Sequence, residues 1–445
     1  MLNILMLTNT YTPFVGGVPR SVKTFRDQYR EMGHRTLVIA PEFEDAPEDE
    51  EDVIRLPAIK DVSDAGFSVR IPIPGYLSSK LDEVEPDIVH AHHPFLLGDT
   101  ALRIARRQKL PLVFTHHTLY EQYTHYLPVD PPAVDEYVVN LVSGYCNLCD
   151  EVFAPSESVR ELLQKRGVET PIDVVPTGVD VDAYGSGDGE QFRRDRGIPR
   201  DSYVVGHVGR LAEEKNLGFL AESLSEFLED HSDVYFLVVG VGPAEDDLVS
   251  VFKGTEYSDR FRHAGVLEGD RLYDAYASMD CFAFTSTTET QGMVLVEAMC
   301  SGTPVVALDA SGSRDVVVDG ETGFLVDDES VSAFVKALED VYGTEGSERK
   351  ELESRVRKRA REFSEERTAR NALEIYSKLV EEYEETERDD TLWSQAKRRL
   401  DAEWEILGNL ASATDAVILN ENEDFLSRWR GEFRGERSEN DVHDG

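Results

Sequence analysis

The sequence predicts an α/β protein made of two doubly wound, Rossmann-like parallel-sheet units in tandem. Three observations carry this. Short continuous apolar runs recur along the chain, the pattern of strands buried on both faces. Amphipathic stretches of helical period separate them, so strand and helix alternate as they do when helices cover both sides of a parallel sheet. The 445 residues, 40% of them hydrophobic, are enough for more than one cored domain at about 100–200 residues each.

In chain order, residues 2–7, 36–40, 87–90, 112–115 and 151–154 read as the strands of the first unit. A second series follows Pro176-Thr177-Gly178, with strands expected at 203–208, 234–240, 281–285, 303–308 and 323–326. Residues 180–200, rich in Gly, Asp and Arg, read as a linker and entry to that unit. Alternating charges over 355–370 read as a solvated helix face, and the pattern is helical from Glu365 to about Arg388. Beyond it, a segment holding all three tryptophans, Trp393, Trp404 and Trp429, is either an aromatic-packed helical appendage or a partner or membrane contact. Its last dozen residues are polar and expected to be disordered.

Acidic residues outnumber basic ones 87 to 46, a formal charge of −41, which argues against nucleic acid as a partner. So anionic a chain repels itself at low salt. It fits a halophilic cytosol, where the Debye length falls to about 3 Å at 1 M. No apolar run approaches the roughly 20 residues of a membrane span, and residues 1–7 lack the basic region of a secretion signal, so a cytoplasmic protein is expected. Four cysteines are too few for a disulfide framework. Cys146 and Cys149 have zinc-like spacing, but Cys281 and Cys300 are isolated, so a structural pair is the simpler reading.

Ligands of open α/β sheets bind beyond the carboxyl ends of strands, so the segments after strands hold the candidate chemistry. After the first strand come Gly16 and Gly17 and then a helix, an arrangement that lets backbone approach a ligand and aims free N–H groups at an anion. Plain turn geometry is the alternative, and neither a dinucleotide GxGxxG nor a P-loop is present. After residues 112–115 comes a dense run of His and Tyr, with His116, His117, Tyr120, Tyr123, His125 and Tyr126. An imidazole there could donate to a sugar hydroxyl or stabilise developing charge; a packed aromatic helix start is the alternative. After residues 203–208, Arg210 and Lys215 combine a bidentate guanidinium and a point charge suited to a diphosphate, unless they pair on the surface with Glu213 or Glu214. His90, His92 and His93 lack a companion carboxylate pattern for a metal.

The last feature follows residues 281–285. Glu289-Thr290-Gln291-Gly292-Met293 leads into a helix expected over 292–301 that carries Glu297 and is stopped by Gly302. Its amino end offers the amides of 290–293 to the crevice. Two acids eight residues apart could touch both ends of a sugar-diphosphate-ribose, and a carboxylate on an apolar helix needs a partner.

At this point residues 1–385 resemble the family 4 retaining glycosyltransferases, whose fold of two facing Rossmann domains is called GT-B. The most specific mark is Glu289-x7-Glu297 with the following Ala-Met-x-x-Gly-Thr-Pro, supported by the string from Gly209 to Asn216 and by the early Gly-Gly. The resemblance implies that Glu289 contacts the donor hexose, Glu297 the ribose hydroxyls, Arg210 and Lys215 the pyrophosphate, Gly17 the diphosphate from the first domain, and His117 rather than His116 the transferred sugar. It implies catalytic roles for His117, Glu289, Arg210 and Lys215, with Gly16, Thr290, Gln291, Gly292 and Met293 completing the donor site. A nucleotide diphosphate sugar, first a UDP-sugar, would be the donor, with no metal or other cofactor.

The strings around His117 and Gln291 look like the branch that glucosylates diacylglycerol-type membrane lipids. A lipid or lipid-linked acceptor and peripheral contact with the inner face of the cell membrane are then expected; polyprenol-linked or other glycans are the alternative acceptors. Such enzymes usually meet the membrane through a basic first domain, and this chain is acidic. The apolar stretch 67–77 and the basic helix with Arg103, Arg106, Arg107 and Lys109 are the candidate contacts. The expected organisation is an acceptor domain over 1–178, a donor domain over 179–364, a helix over 365–388 crossing back to the first domain, and an acidic extension over 389–445.

Overall fold

The computed structural model describes residues 1–14, 16–43, 45–47, 50–56, 85–121, 131–384 and 401–413. The first sheet contains β1 (Asn3–Leu7), β2 (Arg35–Pro41), β3 (Val53–Leu56), β4 (Ile88–Ala91), β5 (Leu112–Thr115), β6 (Glu151–Ala154) and β7 (Ile172–Val174) in the order β3-β2-β1-β4-β5-β6-β7. The second contains β8 (Tyr203–Val208), β9 (Val234–Val239), β10 (Phe261–His263), β11 (Cys281–Phe284), β12 (Val305–Leu308) and β13 (Gly323–Val326) in the order β10-β9-β8-β11-β12-β13. Every pairing is parallel. The strands read from apolar runs are all present within one or two residues. β3, β7 and β10 were not foreseen.

Each sheet is buried on both faces, which is why its central strands are apolar without alternation. One face of the first sheet packs on the Leu97–Gln108 and Pro131–Asn147 helices. The other packs on the Gly17–Glu31 helix and on a helix from much later in the chain, Glu365–Glu384. Tyr376 docks that late helix. Fully buried, it stacks on Phe153 at 5.7 Å, meets Tyr29 edge-on at 5.7 Å, and its hydroxyl lies 2.6 Å from His90 Nδ1. The chain crosses between the sheets twice, and the crossings touch: Val179 N–H donates to Phe363 O at 2.9 Å and Glu365 N–H to Val179 O at 3.2 Å. A Cβ on Gly178 would lie 2.3 Å from Glu365 Cα, so only glycine lets the two strands of chain pass so closely.

Four expectations change. Residues 180–200 are not an open linker. They form two short helices, Val181–Tyr184 and Gly189–Asp195, capped by Asp180 and Asp188 and anchored in the second core by Tyr184, Phe192 and Ile198. The charged run 355–370 is not one helix face. A helix ends at Ala360, a 3₁₀ turn intervenes, and another begins at Glu365; Arg357 and Arg359 meanwhile donate to the Ser301 and Val316 carbonyls at 2.8 and 3.0 Å. The basic helix is covered in part, at Arg103 and Arg106, while Arg107 stays exposed. Residues 401–413 form a helix whose Glu403 accepts from Nε and Nη2 of Arg103 at 2.6 and 3.0 Å and whose Glu405 accepts from Arg106 Nε at 3.1 Å. On that helix Trp404 is exposed, while Ala402, Ile406 and Ala413 are buried, so packing is by aliphatic residues and not by the tryptophan. The apolar stretch 67–77, Tyr123, His125, Tyr126, Trp393, Trp429 and the chain end lie outside the described residues.

Cys146 and Cys149 are buried in the first core, Cys149 Sγ donating to Tyr145 O at 3.3 Å, and burial pushes the Cys146 thiol up to about 12. Among the described residues no helix is long and apolar enough to cross a membrane.

Candidate active site

In both sheets the strand order reverses between a unit's first and fourth strands, β1/β4 and β8/β11. Connections leaving adjacent strands toward opposite faces open a crevice at the carboxyl ends. Gly16 and Gly17 follow β1, Arg210 and Lys215 follow β8, Glu289 to Met293 follow β11 with Glu297 in the next helix, and His117 follows β5 beside the first switch point.

Two helix amino ends meet in this crevice. The Gly17–Glu31 helix has Gly16 as N-cap, no side-chain cap hydrogen bond and no acid in its first turn. The Met293–Cys300 helix has Gly292 as N-cap at φ 71°, again with no side-chain cap bond and no first-turn acid. Arg20 in the first turn of one reaches Glu297 in the second turn of the other, Nη1 to Oε1 at 2.5 Å. The two uncapped ends are thus linked through this pair, each with unsatisfied N–H groups and a positive dipole end. Gly16 is extended at φ 176°, Gly17 is not in the left-handed region, and a Cβ on Gly17 would meet nothing within 4 Å. Turn geometry does not call for glycine at either position.

Glu297 is 3% exposed and uses both carboxylate oxygens, since Tyr276 Oη donates to Oε2 at 2.6 Å. Arg20 also donates to Tyr184 Oη at 3.1 Å and lies 5.6 Å over the Tyr184 ring. Burial opposes the charge of Arg20, but Glu297 and Tyr184 outweigh it and raise the guanidinium pKa. Burial, then Glu297, pushes the Tyr276 hydroxyl well above its ordinary value, so it stays a donor. Sequence reading singled out Glu297 but not its partner Arg20. The only available signal was a cation three residues past a glycine pair in an acidic chain.

Lys215 pairs with Glu289, not with Glu213 or Glu214, joining the loops after β8 and β11. Thr285 Oγ1 and Ser286 Oγ donate to the Lys215 and Glu214 carbonyls at 2.9 and 3.1 Å and hold those loops together. Arg210 is exposed and forms no ion pair among the described residues. Gln291 is a clamp: its amide accepts from Thr177 N–H at 2.9 Å, donates to Thr177 O at 2.7 Å, and touches Met293 Sδ at 3.0 Å. Thr290 bridges toward the first sheet, its hydroxyl donating to His117 O at 3.2 Å and its carbonyl accepting from Ser156 Oγ at 2.6 Å.

The two adjacent histidines part company. His116 is buried between Phe114 and Tyr120, and desolvation pushes its pKa down to about 4. His117 is half-buried beside Thr290 and lies 2.9 Å from His92, Nε2 to Nδ1. Burial, then the neighbouring imidazoles, holds His117 well below its ordinary value, and burial takes His90 and His93 to about 3. Among the described residues no group of three or more His, Cys, Asp or Glu is arranged to hold a metal ion.

Residues 15–183 match the family Glycosyltransferase Family 4, and residues 188–363 match Glycosyl transferases group 1. The chain is 30% identical over 319 residues to an alpha-monoglucosyldiacylglycerol synthase of Streptococcus pneumoniae, covering 69% of this chain and 71% of that one. It is 27% identical over 335 residues to a protein of the same name from Acholeplasma laidlawii, covering 72% and 84%. A GDP-mannose-dependent alpha-mannosyltransferase of Mycobacterium tuberculosis is 30% identical over 337 residues, covering 73% and 84%. Among solved structures, HepE of Anabaena in complex with UDP-glucose aligns with a TM-score of 0.63 at 21% identity, over 85% of this chain and 100% of that one. Sucrose-phosphate synthase of Thermosynechococcus elongatus aligns with a TM-score of 0.68 at 20% identity, over 86% and 100%. Both share the fold.

Proposed function

The chain belongs to glycosyltransferase family 4 and is a glycosyltransferase with the two-domain GT-B fold; from that premise we propose that it moves a hexose from a nucleotide diphosphate sugar to a hydroxyl of a membrane glycerolipid. Configuration at the sugar carbon is retained. The bond from that carbon to the diphosphate oxygen breaks, a bond to the acceptor oxygen forms on the same face, and the acceptor proton leaves on the diphosphate.

The donor site is supported above all by the linked, uncapped amino ends of the Gly17–Glu31 and Met293–Cys300 helices, with Arg210 and Lys215 beyond them. Such a site would hold a departing diphosphate with fixed dipoles and two cations, so the reading assigns no step to a metal. The open space at Gly17 suits a phosphate lying against the backbone. In this reading Glu297 exchanges Arg20 for ribose hydroxyls, Glu289 holds the hexose, and the amides of Thr290 to Met293 complete the pocket. His117 reaches the transferred sugar. A UDP-sugar is preferred because HepE, of the same fold, was solved with UDP-glucose.

The glycerolipid acceptor is supported by two relatives named alpha-monoglucosyldiacylglycerol synthase at 30% and 27% identity. It brings with it a peripheral position at the inner face of the cell membrane. The 30% identical mannosyltransferase favours a second reading, in which GDP-mannose is the donor and the acceptor a different lipid-linked or soluble glycan. Incubating the enzyme with UDP-glucose, UDP-galactose or GDP-mannose, each with diacylglycerol vesicles or with soluble saccharides, separates these. Glycolipid formed from a UDP-hexose in vesicles supports the first reading. Turnover only with GDP-mannose, or only with soluble saccharides, overturns it.

A further inference from the structure

The loops after β4 and β5 bring His92 and His117 together inside the first sheet's end of the crevice. Their rings are nearly parallel, 5.2 Å apart with an interplanar angle of 22°, and the contact between them is His92 Nδ1 to His117 Nε2 at 2.9 Å. One of these nitrogens must carry the proton. His92 is fully buried, and its other nitrogen, Nε2, has no hydrogen-bond partner. If the His92 proton sat on Nε2, an N–H donor would be sealed in without an acceptor, which is the least tolerated kind of orphan. Placing it on Nδ1 leaves only a lone pair unused, and the Nδ1–H then donates to His117.

A neutral imidazole that accepts at Nε2 carries its own proton at Nδ1. For His117 that is the nitrogen that makes no hydrogen bond among the described residues. We propose that His92 is a positioning residue, whose Nδ1–H locks His117 in the Nδ1–H tautomer so that His117 presents a donor, not a lone pair, to the sugar. The inference rests on the assignment of His117 to the transferred sugar. Around the pair, His90 is held by other groups, Tyr376 Oη at 2.6 Å on Nδ1 and Thr115 Oγ1 at 2.7 Å on Nε2, while its ring lies 4.1 Å from that of His92. His93 Nδ1 accepts from Asn9 N–H at 3.1 Å. Neither competes for His117. Burial keeps His92 and His117 neutral, so the tautomer and not the charge is what the contact sets.

Three variants test this in the full-length enzyme. His92→Phe keeps the ring and removes the donor; His92→Asn keeps an N–H near the Nδ1 position; His117→Ala removes the group being positioned. His92→Phe should lower kcat about 10- to 100-fold with unchanged affinity for the bare nucleoside diphosphate, and His92→Asn should restore much of that loss. Nitrogen-15 NMR of the histidine rings gives a readout independent of turnover: His117 should be the Nδ1–H tautomer in the parent and lose that preference in His92→Phe. His117 as the Nε2–H tautomer in the parent overturns the proposal. So does wild-type kcat in a folded His92→Phe when His117→Ala is impaired. Wild-type kcat in His117→Ala overturns instead the assignment of His117 on which the proposal rests.

Discussion

Arg20 and Glu297, 277 residues apart in sequence, form a 2.5 Å ion pair that joins the first turn of one helix to the second turn of another across the crevice. The carboxylate that the proposed function assigns to the donor's ribose is paired with a cation from the helix that follows β1. Its remaining oxygen is held by Tyr276. In the proposed function, nucleotide binding would exchange one partner of Glu297 for another while Tyr276 keeps the side chain aimed.

Calorimetry with the nucleoside diphosphate tests that exchange. Glu297→Ala should weaken binding by about 1.5–3 kcal/mol, the scale of a hydrogen bond to a charged group. Glu289→Ala should spare it. Arg20→Ala removes the competitor and leaves a buried carboxylate, so thermal stability without ligand should fall and the stabilisation given by nucleotide should grow. Equal losses for Glu289→Ala and Glu297→Ala would show that the two acids do not divide the donor.

Arg210→Ala and Lys215→Ala should each lower kcat/KM with a nucleotide sugar by about 2–4 kcal/mol, the scale of removing one preorganised donor to developing negative charge. Lys215→Ala carries an added effect, because it strips Glu289 of its counter-ion. Steady-state kinetics decide this; near-normal kcat/KM in both variants removes the diphosphate assignment.

Glu151, at the start of β6, is 6% exposed with Oε1 unpartnered, and burial, then Asp173, pushes its carboxyl up to about 7. The folded state binds the proton more tightly than the unfolded chain, so stability falls as pH rises from about 4.5 to 7. Glu151→Gln should therefore stabilise the protein at pH 8 by on the order of 2–3 kcal/mol and have little effect at pH 4. Urea unfolding at both pH values checks it. A destabilised variant at pH 8 contradicts it.

With a charge of −41, melting temperature should rise between about 0.1 and 3 M KCl as self-repulsion is screened. A flat profile removes the halophile reading. The Arg103–Glu403 and Arg106–Glu405 pairs respond in the opposite sense, since salt weakens exposed ion pairs. Protease sensitivity near residue 401 should accordingly increase with salt while the rest of the chain becomes more resistant.

What could be read in the sequence follows from where the information lies. Central strands such as β5 and β8 are buried on both faces and announce themselves as apolar runs. β3, β7 and β10 are outermost strands of three or four residues; β7 and β10 have no buried side chain, and β3 alternates only over Val53 to Leu56, so each is too short for a run or an alternation to mark it. Among candidate site residues, Arg210, Lys215, Glu289 and Glu297 lie in strings whose chemistry is local. Arg20 and His92 matter through partners hundreds or tens of residues away, and no spacing rule within their own segments points to them. Residues 180–200 misled because their Gly, Asp and Arg serve as helix caps and charged faces as well as they would serve a linker.

The docking of Tyr376 on the first sheet has a consequence for biosynthesis. The face formed by Ile4, Met6, Val22, Val38 and Ile88 is closed by Ala372, Leu373 and Tyr376, which leave the ribosome last among these residues. At roughly 5–20 residues per second, the interval between completing β6 and delivering Tyr376 is on the order of 10–45 s. For that time this face of the nascent first sheet is covered only by the Gly17–Glu31 helix while the whole second unit is translated. Early translation arrest would therefore yield a half-molecule with a sticky surface, a client for holding chaperones, until the late helix retracts that surface from its neighbours.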